Sequence, residues 1–239
     1  MSLPVGPLVS PREAMRPPHE ALHGQTTSLV PLEAGHAAGL YKNLGGPENR
    51  ARWTYMLTGG FATLAECQRD IEAWSGDTAP DRLYYAVLSG PAASGAREPE
   101  PEPEPAGIMC YLAVEPGHRR LEIGGVVLGA ALQRTRSATE AFYLLIRHAF
   151  EDLGYLRVEW KANRLNEASL RAAERLGFTF EGVFRKHMVV KGRERDTAWF
   201  SMTDGEWARV KRGFEAWLDD GNFDCDGRQR RGLRECREG

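Results

Sequence analysis

Residues 155–184 read YLRVEWKANRLNEASLRAAERLGFTFEGVF, and their hydrophobic pattern changes period twice. YLRVEWKA (155–162) alternates as a strand does. NEASLRAAERLG (166–177) reads as a short helix, with Asn166 as its N-cap and Gly177 just past its last turn. FTFEGVFRKHMVV returns to strand, and KGRE links it to RDTAWFSM as a hairpin. A strand, a short capped helix and a hairpin in so few residues confine this part of the chain to a mixed α/β domain.

The upstream chain fits the same class. TSLVPLE (27–33), LYYAVL (83–88), GIMCYLAV (107–114) and LEIGGVVL (121–128) carry strand patterns. Helical patterning covers about 34–44 and 63–75, the second opened by a Thr63/Glu66 capping box. A longer helix is expected over about 138–153. Ala141, Leu145, Ala149 and Leu153 form its stripe, Phe142, Ile146 and Phe150 flank it, and Gly154 ends it. An amphipathic helix over about 204–218 comes last. The expected order is β-α-α-β-β-β-α-β-α-β-β.

Three segments fall outside this pattern. Residues 1–24 are proline-rich and read as a disordered lead-in, and 220–239 read as a polar C-terminal tail, leaving a single domain over 25–219. Within the domain, GPAASGAREPEPEPEPA (90–106) alternates Pro and Glu and reads as a solvated surface insertion between two strands.

Composition excludes several classes of function. With 31 basic and 33 acidic residues the formal charge is −2, which calls for neither nucleic acid nor an anionic membrane as partner. No apolar run is long enough for a transmembrane helix. Cys67, Cys110, Cys225 and Cys236 are far apart and lack metal-ligand spacing. They read as free thiols of a reducing, cytoplasmic compartment, with no metal. No G-x-G-x-x-G follows a strand, so a Rossmann-type nucleotide loop is a poor fit.

The stretch QRTRSATEAF (133–142) opens the long helix, with Ser137 as expected N-cap and Glu140 three residues on. A helix start offers unpaired N–H groups and a positive dipole end, which suit a pyrophosphate, and Arg134 and Arg136 add charge beside it. On its own this feature is shared by every capped helix.

Together, EIGG, QRTRSATEA, NEAS, AAERLGF, EGVFR and KGRERDTAWFS, spread over about 121–203, resemble the acetyl-CoA-binding half of the GNAT superfamily of N-acetyltransferases. Within it they are most similar to the branch of ribosomal-protein N-terminal alanine acetyltransferases (RimJ/RimL-like). The resemblance implies the GNAT acyl-CoA N-acyltransferase fold: a mixed, mostly antiparallel α/β sheet with two splayed strands, flanked by helices. It also implies acetyl-CoA as co-substrate, a primary amine (a protein N-terminus or a small amine) as acceptor, and a monomer or homodimer. The rival reading is a non-catalytic acyl-CoA-binding or interaction protein with the same fold.

Carried over residue by residue, the resemblance makes Gln133, Arg134, Thr135, Arg136, Ser137 and Ala138 the phosphate loop. Arg136 stands where the superfamily has its central glycine, and either points outward or swings in to pair a phosphate. Val126, Val127 and Leu128 become main-chain contacts of the pantetheine arm, with Gly124 and Gly125 suited to a bulge that starts the splay. Asn166 touches the cofactor arm, and Ser169 lies near its sulfur. The superfamily's tyrosine acid is replaced by Ala173, which leaves Ser169 or a water to protonate the thiolate. Glu122 is the candidate general base, with His187 and Asp196 as second choices, Asp196 more readily pinning the hairpin to Arg195. The cluster Arg185, Lys186, Lys191, Arg193 and Arg195 reads as a charged hairpin edge, and Trp160 and Trp199 as core.

Overall fold

In the computed structural model, which describes residues 3, 5–75, 79–89 and 103–239, the strands follow one another across a single sheet in chain order until its last two places. β1 (Leu22–His23), β2 (Thr27–Pro31), β3 (Leu83–Ser89), β4 (Pro105–Glu115), β5 (Arg120–Leu128) and β6 (Arg157–Asn163) are successive neighbours. β8 (Arg193–Thr203) then comes next to β6, and β7 (Thr179–Val190) forms the edge. Every pairing is antiparallel except β5 with β6, which is parallel because a helix crosses between them. Most of the Pro/Glu-rich insertion, residues 90–102, lies outside the described residues. The strands on either side of it, β3 and β4, pair directly.

Helices cover the two faces unequally. α3 (Arg136–Arg147), α4 (Glu167–Leu176), α5 (Asp204–Leu218) and the short α6 (Leu233–Glu238) bury one face. There Leu121, Ile123, Val158, Trp160, Ala198 and Phe200 meet Ala141, Leu145, Phe214 and Leu176 in one continuous core. α1 (Ala37–Leu44) and α2 (Leu64–Trp74) cover only the first half of the other face, where Leu40, Leu44, Trp53 and Ile71 pack on Ala86, Ile108 and Val127. Among the described residues, that helical cover does not extend to β6, β8 or β7.

Local chemistry sets the helix ends. Thr63 Oγ1 accepts from Glu66 N at 3.2 Å and opens α2. Asn166 Oδ1 accepts from Ser169 N at 3.2 Å and opens α4, and Gly177 closes it at φ 103°, a left-handed conformation that suits a residue without Cβ. Lys191 and Gly192, at φ 50° and 72°, form the two-residue turn between β7 and β8.

The start of α3 differs from expectation. Its N-cap is Thr135, whose Oγ1 accepts from Ala138 N at 3.1 Å, and not Ser137, which lies inside the first turn. Glu140 is not part of a capping box; it is 5% exposed and faces the chain ahead of β2. Its carboxylate accepts from Gln25 N at 2.7 Å, Thr26 N at 2.7 Å and Thr26 Oγ1 at 2.6 Å. Ser137 Oγ donates to Thr26 O at 2.9 Å. The residues expected to cap the helix instead bind another segment to it.

Both flanking segments touch the domain. Ahead of β2, Ala14 and Leu22 are buried, and Met15 N donates to Leu153 O at 2.8 Å. After α5, Leu233 and Cys236 of α6 are buried in the main core. Among the described residues all four cysteines are free, and no helix is long and apolar enough to cross a membrane.

Removing the Glu140 carboxylate strands three donors at a half-buried junction. Glu140→Ala is expected to lower unfolding free energy by about 3 kcal/mol in urea titrations, with Glu140→Gln losing less because its amide oxygen still accepts.

Candidate functional site

The parallel ladder between β5 and β6 is short. Arg120, Leu121 and Glu122 pair with Arg157, Val158 and Glu159, and pairing stops there although β5 continues to Leu128 and β6 to Asn163. Beyond Glu122 and Glu159 the strands splay into a V whose inner edges pair with no strand among the described residues. On the other side of β5, Gly125 and Val126 together oppose the single residue Met109 between the pairs Cys110–Gly124 and Ile108–Val127. This is a bulge, with Gly125 at φ 60°, and it bends β5 away from β6. The expected splay and its glycine bulge are both present.

The apex of the V is ionic. β5 and β6 are in register at Glu122 and Glu159, and Lys161 lies two residues on, so all three side chains share the uncovered face. Lys161 Nζ sits 2.8 Å from Glu122 Oε2 and 3.0 Å from Glu159 Oε2. It also lies 4.2 Å from the ring centre of Trp199, its register partner on β8. Trp199 is therefore not the core residue expected: it lies on the open face, whereas Trp160 is 5% exposed in the core.

Burial pushes the Glu122 carboxyl above its ordinary value, and the Lys161 ammonium draws it partly back. Glu159 ends below its ordinary value: burial raises it, but Arg157 and Lys161 together outweigh that. Glu122 Oε1 is directed along the strand, 3.0 Å from where a Cβ on Gly124 would sit. Lys161 thus holds one oxygen of Glu122, and the other lies against Gly124, where a Cβ would also meet Leu112 Cδ1 at 2.7 Å. Further along the face, Arg157, Glu181, Gly182, Phe184 and Trp199 line a cleft of about 250 Å³. The bidentate ion pair from Arg157, at 2.7 and 2.5 Å, holds Glu181 down at about 2.

At the far side of the V, the first turn of α3 presents its amides. Among the described residues, the N–H groups of Arg134, Arg136 and Ser137 donate to no protein acceptor. Arg134 takes a left-handed φ of 62° just before the cap, a conformation that helps turn these amides outward. Gln133 Nε2 donates to Leu128 O at 3.1 Å, and Arg52 Nη1 reaches the same carbonyl at 3.3 Å. The Leu128 carbonyl, counted among the arm contacts, already has protein partners; Val126 is half-buried and Val127 buried beside it.

Arg136 faces away from the loop. It pairs with Asp220 Oδ1 at 2.7 Å, donates to Leu218 O, and stacks 4.7 Å from the Phe223 ring centre. Of the two orientations open to it in the sequence, the structure shows the outward one.

The remaining candidates separate cleanly. Ser169 Oγ accepts from Trp160 Nε1 at 3.0 Å, and Ala173 is fully buried one turn on. His187 Nδ1 contacts Thr197 Oγ1 at 3.0 Å, and its ring stands edge-on to Phe184 and tilted 5.9 Å from the Trp199 ring centre. Asp196 does not pair with Arg195. Its Oδ1 accepts from Lys186 N at 2.7 Å, because Lys186 sits at φ 50° in a bulge of β7. Of the basic hairpin cluster, Lys191 is not merely an edge charge: its Nζ donates to Trp53 O at 2.7 Å, tying the hairpin tip to the α1–α2 connection. Sequence reasoning missed Glu159 and Lys161. Their signal was the two-residue spacing that puts both on one strand face.

This arrangement defines the class of protein. Residues 27–179 match the family model described as Acetyltransferase (GNAT) domain, and the chain belongs to that family and is an N-acetyltransferase. A GCN5-related N-acetyltransferase structure from Brucella melitensis superposes with a TM-score of 0.86 at 36% identity, covering 95% of this chain and 98% of that one. The Bacillus subtilis protein named "Putative ribosomal N-acetyltransferase YdaF" is 39% identical over 154 residues, 64% of this chain and 81% of its own length. The microcin C7 self-immunity acetyltransferase MccE, solved with acetyl-CoA and AMP, shares the fold with a TM-score of 0.62 at 22% identity, covering 75% and 93% of the two chains.

Because Arg136 binds the segment after α5, Arg136→Ala is expected to release that segment. Amide hydrogen exchange over residues 219–231 should speed up about tenfold or more, while the core strands keep their protection.

Proposed function

We propose that this chain moves an acetyl group from acetyl-CoA to a primary amine by direct attack in a ternary complex, and that the amine is a protein N-terminus. The observation that carries this reading is the V that opens where β5–β6 pairing ends, with a desolvated carboxylate at its apex and free amides at its far side. An extended arm fits between two strand edges that lack partners, pairing as an added strand does. The amides of Arg134, Arg136 and Ser137 suit the pyrophosphate. Acetyl-CoA supplies the acyl group already activated as a thioester.

The residues divide the work. The uncovered outer face, rimmed by the α1–α2 connection and the β7–β8 hairpin, is where the amine arrives. Glu122 takes the proton from that amine through Oε1, while Lys161 keeps Oε2 and fixes the carboxylate plane. A carboxyl raised by burial is a better proton acceptor near neutral pH than an ordinary one. A backbone N–H of the splayed strand, at about Val127, stabilises the charge developing on the carbonyl oxygen. Asn166 holds the arm as well as capping α4, and Ser169 protonates the departing thiolate. Each proton then has a donor and an acceptor, and no covalent enzyme intermediate is needed. The choice of a protein acceptor follows the similarity to the protein named as a ribosomal N-acetyltransferase.

Thiol release should be followed over a panel of N-terminal peptides and small amines. Acetyl-CoA-dependent release with peptides supports the reading, and no release with any amine overturns it. Glu122→Gln should lower kcat by about 100-fold or more while acetyl-CoA still raises the melting temperature.

The pH dependence has a defined sign. Glu122 acts ionised, so kcat rises as pH passes through its pKa, and Lys161 lowers that pKa. In Lys161→Met the acid limb of the kcat profile should therefore move to higher pH; an acid limb that stays in place would remove Glu122 as the base.

A further inference from the structure

The core face of β6 holds a contact that neither packing nor helix capping requires. Trp160 is nearly fully buried, with its ring 5.4 Å from Phe142 and 5.7 Å from Phe178, centre to centre. Its indole nitrogen donates at 3.0 Å to Ser169 Oγ on α4. An indole N–H only donates, whereas a hydroxyl donates once and accepts through two lone pairs. Trp160 therefore occupies the accepting side of Ser169 and leaves the hydroxyl hydrogen free.

That hydrogen has no protein acceptor among the described residues. A serine inside a helix commonly bonds back to the carbonyl three or four residues earlier, but Ser169 makes no such bond. The Ser137 hydroxyl donates to Thr26 O and that of Ser201 to Glu181 Oε1, so donation to protein is met elsewhere in this fold. The Ser169 backbone is fixed as well, since its N–H donates to Asn166 Oδ1. The hydroxyl is half-buried, and Ala173 on the next turn is too small to contribute a polar group.

We infer that Trp160 is a positioning residue for thiolate protonation: its indole N–H fixes the Ser169 hydroxyl so that its proton is aimed into the splay between β5 and β6. The inference rests on Ser169 serving as the proton donor to the departing thiolate. When the carbon–sulfur bond breaks, the electron pair goes to sulfur, the Ser169 proton follows, and the proton taken up by Glu122 returns the balance through solvent. Trp160 exchanges no proton and touches no reacting atom. The rigidity of its ring, clamped by Phe142 and Phe178, is what gives the hydroxyl a fixed direction. β6 then orients groups for both ends of the reaction, Trp160 from its core face and Lys161 from its outer face.

The test is a double-mutant cycle on kcat and KM for acetyl-CoA with Trp160→Phe, Ser169→Ala and the two combined. Ser169→Ala should lower kcat by about 100-fold. Trp160→Phe should lower kcat by about tenfold, with KM for acetyl-CoA within about twofold of the parent, and should have no further effect in the Ser169→Ala background. Benzothienylalanine at position 160 preserves the ring and lacks the N–H, so it tests the same loss if Trp160→Phe folds poorly. It should reproduce the kcat defect with an unchanged melting temperature. An equal kcat loss from Trp160→Phe in both backgrounds, or full activity with benzothienylalanine while Ser169→Ala is impaired, overturns the inference and leaves Ser169 as the acid. An unimpaired Ser169→Ala overturns both.

Discussion

The site depends on how little β5 and β6 pair. Parallel strands joined by a crossover helix can bond along their full shared length, yet these two do so only from Arg120 to Glu122 and from Arg157 to Glu159. The bulge at Gly125 and Val126 turns β5 away on its β4 side, so the separation is built into the neighbouring ladder. Unpaired strand groups within a sheet are costly unless something satisfies them. The proposed function supplies that partner in the extended arm of acetyl-CoA. The start of α3 follows the free end of β5, the N-cap of α4 follows the end of β6, and Glu122 stands where their pairing stops.

Electrostatics at the apex follow from strand geometry. Register puts Glu122 beside Glu159, and alternation puts Lys161 on their face. Two carboxylates this close disfavour each other's ionisation, and one ammonium between them sets the balance. The result is asymmetric: Glu159, also paired with Arg157, is pushed down, while Glu122, raised by burial and only partly drawn back by Lys161, remains above its ordinary value. Two glutamates on neighbouring strands thus have different proton affinities, and the proposed function gives the amine's proton to the one raised by burial.

Much of this was legible in the residues because local chemistry and tertiary structure agree. The alternation of VEWKA, the cap at Asn166, the left-handed Gly177 and the Lys191–Gly192 turn each fix an element without reference to the rest of the fold. The glycine bulge of β5 also fell where the resemblance put it. The failures share a cause, which is partnership across long sequence separation. Ser137 and Glu140 look like a capping box, but Gln25 and Thr26 compete for both side chains. Trp199 looks like core until register places it beside Lys161, on the face of β8 opposite Ala198 and Phe200. Asp196 has Arg195 next to it in sequence and the Lys186 amide next to it in space. The direction taken by Arg136 depends on Asp220 and Phe223, some 80 residues away.

The central claim is that the V between β5 and β6 is the slot for the acetyl-CoA arm. Residue-resolved amide hydrogen exchange, with and without CoA, tests it most directly. The account predicts that CoA slows exchange in residues 124–128 of β5 and in residues 134, 136 and 137 at the start of α3, leaving β2 and β3 unchanged. Protection confined to other parts of the chain, with these amides exchanging as before, would contradict it.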